Sequence, residues 1–229
     1  MLDLINREAL EMDAGKLSIK KKRVMIYFIE AARQLMTNEG ISSLSIRRIA
    51  EIAGYNSATL YNYFEDLPHL TLFASMSYLR SYVATLSSRL KPEMTSLERY
   101  RAIYDTFDYF SFRSPEIFYN MFFGPQRAKL PEVVNEYYSL FPDELKEHSH
   151  SVRAMLTQGN MYLRDVPLVD ELAADGFIDP VNREKLASLV PRVNQTYLYE
   201  MLKSDPPIDP DEQNRRFLDM FDYLIKNAK

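Results

Sequence analysis

Twenty residues, Ser45 to Phe64, restrict this chain more than any other stretch: SIRRIAEIAGYNSATLYNYF. Ile46, Ile49, Ala50 and Ala53 recur at i, i+3, i+4 and i+7, which predicts a short helix with one narrow apolar face, and Ser45 stands at its N-cap. Gly54 then closes it, because glycine takes the left-handed conformation that ends a helix at little cost, and Asn56 is placed to cap the next one. Two helices so joined make a helix-turn-helix, whose second member fits a DNA major groove. Arg47, Arg48, Ser57, Thr59, Tyr61, Asn62 and Tyr63 supply charge, hydroxyls, an amide and rings, a mixture suited to phosphates and base edges. The plainer reading is a helical hairpin inside a larger bundle.

Charge separates the two readings. The whole chain carries −4, but residues 16–65 hold eight basic against four acidic side chains, a local +4 that leaves −8 for the rest. A basic head on an acidic body suits a molecule of which one end meets phosphates. The Lys20 to Arg23 run, by itself only a solvated helix start, gains meaning beside a helix-turn-helix. The 229 residues, 46% hydrophobic, suffice for one or two domains with a substantial core. There is no cysteine, hence no disulfide and no thiolate metal site, and a reducing cytoplasm is the expected setting. The first fifteen residues lack the pattern of a signal peptide, and no run of about eighteen apolar residues occurs. Neither export nor membrane spanning is expected. Six glycines and long helical periods predict an all-α protein.

Residues 1–17 read as an extra helix or a loose arm. A first helix is expected from Ser18 to Glu39, with Val24, Tyr27, Phe28, Ala31 and Leu35 on one face and Gly40 ending it. After Phe64, Asp66 can cap a helix that tolerates Pro68 in its first turn, and Leu72, Met76, Leu79, Val83, Leu86 and Leu90 give it a continuous stripe up to Pro92. Further helices are expected at about 96–114, 115–123, 131–141, 143–162, 165–175, 180–204 and 210–228, with a kink at Pro191. The aromatic-rich segment TFDYFSFRSPEIFYNMFFGP is as much core filler as cavity wall. If a ligand cavity exists, Phe107, Phe110, Phe118, Phe122, Tyr162 and Tyr197 are candidates to line it, and Arg153 is the leading choice among Arg113, Arg127, Arg153 and Arg164 to orient an acidic group.

From about Lys20 to Leu70 the chain resembles the DNA-binding domain of the tetracycline-repressor (TetR) family of bacterial transcription regulators. The resemblance rests on a first helix ending near Glu39-Gly40, on IRRIAEIAG, on TLYNYF and on an acidic turn into a long fourth helix. It implies a three-helix DNA-binding domain at 18–66 and a helical ligand-binding and dimerisation domain at 67–229. It also implies that Arg47, Ser57, Thr59, Tyr61, Asn62 and Tyr63 touch double-stranded DNA. Asn62 and Ser57 would read base edges and the others mainly phosphates, with Arg48 and Lys20 assisting electrostatically and Leu60 and Phe64 in the core. Where the family commonly has a lysine at the start of its fourth helix, this chain has Leu67, Pro68 and His69, so that phosphate contact is absent or replaced. In the family the last two helices pair with those of a second copy; here Leu186, Val190, Val193, Tyr197, Phe217, Met220, Phe221 and Leu224 form the matching stripes, which could equally close the monomer's own core. The implied function is a homodimeric repressor released from a pseudo-palindromic operator by a small-molecule effector that the sequence does not identify. The alternative is a constitutive or protein-controlled DNA binder without an effector pocket.

Signatures of enzymes are thin. The chain has no Gly-rich phosphate loop, no G-x-S-x-G and no H-E-x-x-H. Glu147-His148-Ser149-His150 contains one E-x-x-H, but a di-iron bundle needs a second copy, and only His69 remains. Neither enzymatic activity, metal nor cofactor is expected.

Overall fold

The computed structural model describes residues 19–145, 158 and 160–229. These residues fold entirely as helices and turns, without a strand among them. Residues 1–17, the histidine pair at 148 and 150, and Arg153 lie outside the described residues, as does most of the helix expected at 143–162. The chain divides into two compact units, 1–74 and 75–229, and the division falls eight residues later than the expected boundary, inside one helix.

In the first unit, α1 (Ile19–Glu39) is followed by a 3-10 turn (Ile41–Ser43), α2 (Ile46–Ala53) and α3 (Ser57–Leu60), and α4 (Leu67–Arg89) then begins. The core is built around Phe28, whose ring centroid lies 5.4 Å from Tyr55, 6.3 Å from Phe64 and 6.4 Å from Tyr63. Adjacent pairs on α1 are buried, Val24 with Met25, Phe28 with Ile29, Ala31 with Ala32 and Leu35 with Met36. That doubling rotates the apolar stripe away from Tyr27, which was expected on it and is instead 54% exposed. The stripe of α4 is as expected from Leu72 to Leu86, each member fully buried or nearly so, with Leu90 beyond the helix half-buried.

The second unit holds α5 (Ser96–Ser111), α6 (Pro115–Phe123), α7 (Leu130–Leu140), α8 (Met161–Ala174), α9 (Arg183–Lys203) and α10 (Pro210–Asn227). Local signals start them: Thr95 and Glu98 form a reciprocal capping box, Asn160 accepts from the amides of Tyr162 and Leu163, and Asp209 accepts from those of Asp211 and Glu212. Asn160 starts α8 four residues earlier than expected. No break separates the two halves of α9 at Pro191, which is buried within it. Tyr100, Tyr104, Phe217 and Phe221 form one aromatic cluster between α5 and α10, and Phe107 joins Phe118 and Phe122 of α6 in another. Among the described residues no helix is long and apolar enough to cross a membrane.

Candidate functional site

The helix pair is assembled by its caps. Ser45 Oγ accepts from the Arg48 amide at 3.3 Å, Gly54 closes α2 at φ 77°, and Asn56 Oδ1 accepts from the Thr59 amide at 2.9 Å. Leu60 and Phe64, four residues apart, are both fully buried and anchor the second member. Its regular α-helix is shorter than TLYNYF suggested. Beyond Leu60 the amides of Asn62 and Tyr63 bond three residues back, at 3.2 and 3.0 Å. The chain tightens there because Phe64 must enter the core just before Asp66 turns it into α4, where Asp66 Oδ1 accepts from the His69 amide at 2.7 Å.

This anchoring leaves an outward face. Tyr61, at 57% exposure, Asn62 and Arg47 are exposed; Ser57, Thr59 and Tyr63 are half-buried. Arg47 makes no ion pair among the described residues, and Lys20 is exposed on the first turn of α1. Arg48 is different. Its guanidinium donates to both oxygens of Glu39, at 2.5 and 2.9 Å, and to the Ser43 carbonyl at 3.3 Å, tying the end of α1 to the start of α2. These bonds hold the Glu39 carboxyl below its usual range. Thr59 Oγ1 donates to Asn56 Oδ1 at 3.0 Å, so its hydroxyl faces outward as an acceptor. At the position after Leu67 and Pro68, His69 is no ready substitute for a lysine: its Nδ1 accepts from the Glu65 amide and its ring lies edge-on to Phe64 and Phe73.

In the second unit a small cavity of about 20 Å³ is walled by Tyr82, Ile103, Tyr104, Phe107, Met161, Arg164, Asp165 and Leu168. Asp165 is its most unusual member. Its Oδ2 accepts from the hydroxyls of Tyr100 at 2.7 Å and Tyr104 at 2.8 Å, and burial raises its pKa to about 7 in spite of those bonds and of Arg164 beside it. Arg164, also buried, donates Nε to the Gln158 carbonyl and lies 4.9 Å over the Phe122 ring. Of the described residues expected at a pocket, Phe107 and Arg164 line this one. Phe118 and Phe122 are buried against Phe107, Phe110 packs near Tyr82, Tyr162 is exposed and Tyr197 packs on Phe217. Nothing in the sequence singled out Tyr82 or Asp165. A second buried acid, Asp108, accepts from Asn194 Nδ2 at 2.5 Å, and burial pushes its pKa well above the usual carboxylate range.

Residues 28–66 match the sequence profile described as bacterial regulatory proteins, tetR family. Those residues carry the signature of a TetR-family DNA-binding domain. Over 171 residues, 71% of this chain and 89% of the relative, it is 26% identical to an uncharacterized HTH-type transcriptional regulator of Haemophilus influenzae. Among solved structures it is similar to Thermus thermophilus FadR, a TetR-family transcriptional repressor in complex with lauroyl-CoA, with a TM-score of 0.57 at 14% identity, covering 86% of this chain and 92% of that one. A transcriptional regulator from Rhodococcus sp. Rha1 gives 0.53 at 12% identity, over 89% and 97%. At these identities the likeness is one of fold.

The last two helices carry both buried and outward-facing apolar residues. Leu186, Val190, Phe217 and Phe221 are buried within the unit itself, so these four of the eight residues expected at a subunit interface already close the monomer's core. Val193, Tyr197 and Leu224 are half-buried and Met220 is exposed, and Leu189, Tyr199 and Tyr223 add apolar surface that the periodicity had not selected.

Proposed function

We propose that this TetR-family DNA-binding transcription regulator is a cytoplasmic, homodimeric repressor that leaves a pseudo-palindromic operator when a small molecule binds its second unit. The observation that carries the reading is the outward face of the capped helix pair, where Arg47, Tyr61 and Asn62 are exposed while Leu60 and Phe64 hold the backbone in the core. Such a face meets phosphates and base edges together. Two copies paired through the half-buried and exposed residues of α9 and α10 present two such faces, and half-sites about one helical turn apart follow from that symmetry. An effector acts by preferring the conformation whose faces no longer fit the operator.

Selection of bound sequences from random duplex DNA tests this. An enriched inverted repeat is expected. Asn62→Ala should flatten the preference at one position of each half-site; Tyr63→Ala, whose ring also packs on Phe28, should weaken binding to every sequence. An Asn62→Ala protein that selects the unchanged sequence would contradict the assignment of Asn62 to a base edge. The size of the cavity favours a second reading, a constitutive or protein-controlled binder, since about 20 Å³ holds roughly one water. Operator binding that no metabolite disturbs would decide for it.

A further inference from the structure

We propose, resting on the effector-controlled reading above, that the cavity at Asp165 is the head-group site for a primary amine. Asp165 is buried yet forms no ion pair among the described residues. Both tyrosine hydroxyls bind the same oxygen, Oδ2, and no hydrogen bond reaches Oδ1. Across the cavity wall the Tyr82 hydroxyl, on a residue 1% exposed, likewise makes no hydrogen bond among the described residues. Arg164 is near enough to oppose the rise in the Asp165 pKa but makes no ion pair with it; a buried carboxylate without an ion-pair partner is costly, and Asp165 and Tyr82 both belong to the wall of a space the size of one water.

An ammonium group has that size and carries three donors. One reaches Asp165 Oδ1, another the Tyr82 oxygen, and the charge lies against the rings of Tyr104 and Phe107, which attract cations. The carbon skeleton then displaces Met161, Leu168 and Ile103, of which methionine is the most adaptable. A carboxylate in the same place would face Asp165 and the negative faces of the rings. Arg164 shares the cavity wall, but its guanidinium forms no ion pair with Asp165: Nε donates to the Gln158 carbonyl, Nη1 lies 4.0 Å from Met161 Sδ, and the group sits over the Phe122 ring. The other cations that reach α8, Arg99 from α5 and Arg183 at the start of α9, are held by Glu171 and Asp170.

The test titrates the full-length protein with 2-phenylethylamine and butylamine, and with the acids and alcohols of matching skeleton, 3-phenylpropionate, pentanoate, 2-phenylethanol and butanol. Amines alone should bind, and about tenfold more tightly at pH 8 than at pH 6, since the carboxyl with a pKa of about 7 ionises over that interval. Asp165→Asn should abolish both the binding and its pH dependence. Tyr82→Phe, which leaves the Asp165 network intact, should weaken amine binding and serves as the test if Asp165→Asn does not fold. Acids binding as well as amines, amine affinity equal at pH 6 and pH 8, or no binding by any of the six would overturn the proposal. Operator affinity is measured in the same samples. Amines that bind without changing it uphold the site and sink effector control, whereas absence of operator binding sinks the regulatory reading by itself.

Discussion

Asp108 and Asn194, both fully buried, leave two acceptors over. Asn194 Nδ2 occupies Asp108 Oδ1, while Asp108 Oδ2 and Asn194 Oδ1 make no hydrogen bond among the described residues. One proton on Asp108 satisfies both, and the direction of its pKa agrees. A carboxyl whose folded pKa is raised lends stability that is complete below its unfolded pKa and is lost as pH climbs toward the folded one. Stability should therefore decline from about pH 4 upward, by at most about 1.4 kcal/mol per pH unit for each such group, with Asp165 acting in the same sense up to about pH 7. Asp108→Asn replaces the acid by an amide that can donate to Asn194 Oδ1. It should leave the unfolding midpoint near neutrality at least as high as in the parent and remove part of its slope with pH; urea titrations from pH 5 to 9 read both. The adjacent arginines give a second residue-scale expectation. Arg47→Ala should weaken operator binding and reduce the slope of log affinity against log salt by about one. Arg48→Ala should leave that slope nearly unchanged, because Arg48 is occupied by Glu39, and should show itself in a small loss of stability that added salt erases. The spatial meeting of positions 39 and 48 is what occupies Arg48, and no linear pattern announces it.

At the scale of elements, the caps were the most legible part of the chain. Ser45, Gly54, Asn56 and Asp66 were readable because a cap is decided by residues within three or four of one another. Gly54 supplies a direct check. A methyl group added there meets nothing within 4 Å, so Gly54→Ala carries only the backbone penalty of φ 77°. It should lower stability by about 1–2 kcal/mol in urea unfolding. The length of α3 and the exposure of Tyr27 were less legible. Both depend on where Phe64 and Phe28 meet across the first unit, and periodicity within one helix does not report which edge of its stripe a partner covers.

For the whole molecule, the all-α class, the basic head and the order of helices followed from periodicity and charge, whereas membership of the body cavity did not. Tyr82, Phe107 and Asp165 lie on three helices, and each in its own helix resembles an ordinary core or surface residue. The last two helices show the same limit in another form: one stripe serves the monomer's core on one side and leaves apolar surface on the other. The two sides should separate experimentally. Phe217→Ala should cost about 3–5 kcal/mol in thermal unfolding, as for any buried ring. Met220→Glu should leave unfolding of the monomer almost unchanged while shifting light-scattering mass from dimer to monomer and reducing operator affinity. Met220→Glu protein that remains dimeric would place the contact elsewhere, with Leu189 and Tyr199 the next surface to change.

The clasp between Arg48 and Glu39 also has a signature in descent. Two side chains that hold each other across nine residues are selected as a couple, so related sequences should exchange or lose them together, as Arg with Glu, as Lys with Asp, or as a pair of neutral residues. Arg47 has no such companion among the described residues. As a phosphate contact it should keep its positive charge, as Arg or Lys, whatever operator a relative reads, so that of two neighbouring arginines one records the history of the fold and the other that of the contact with DNA.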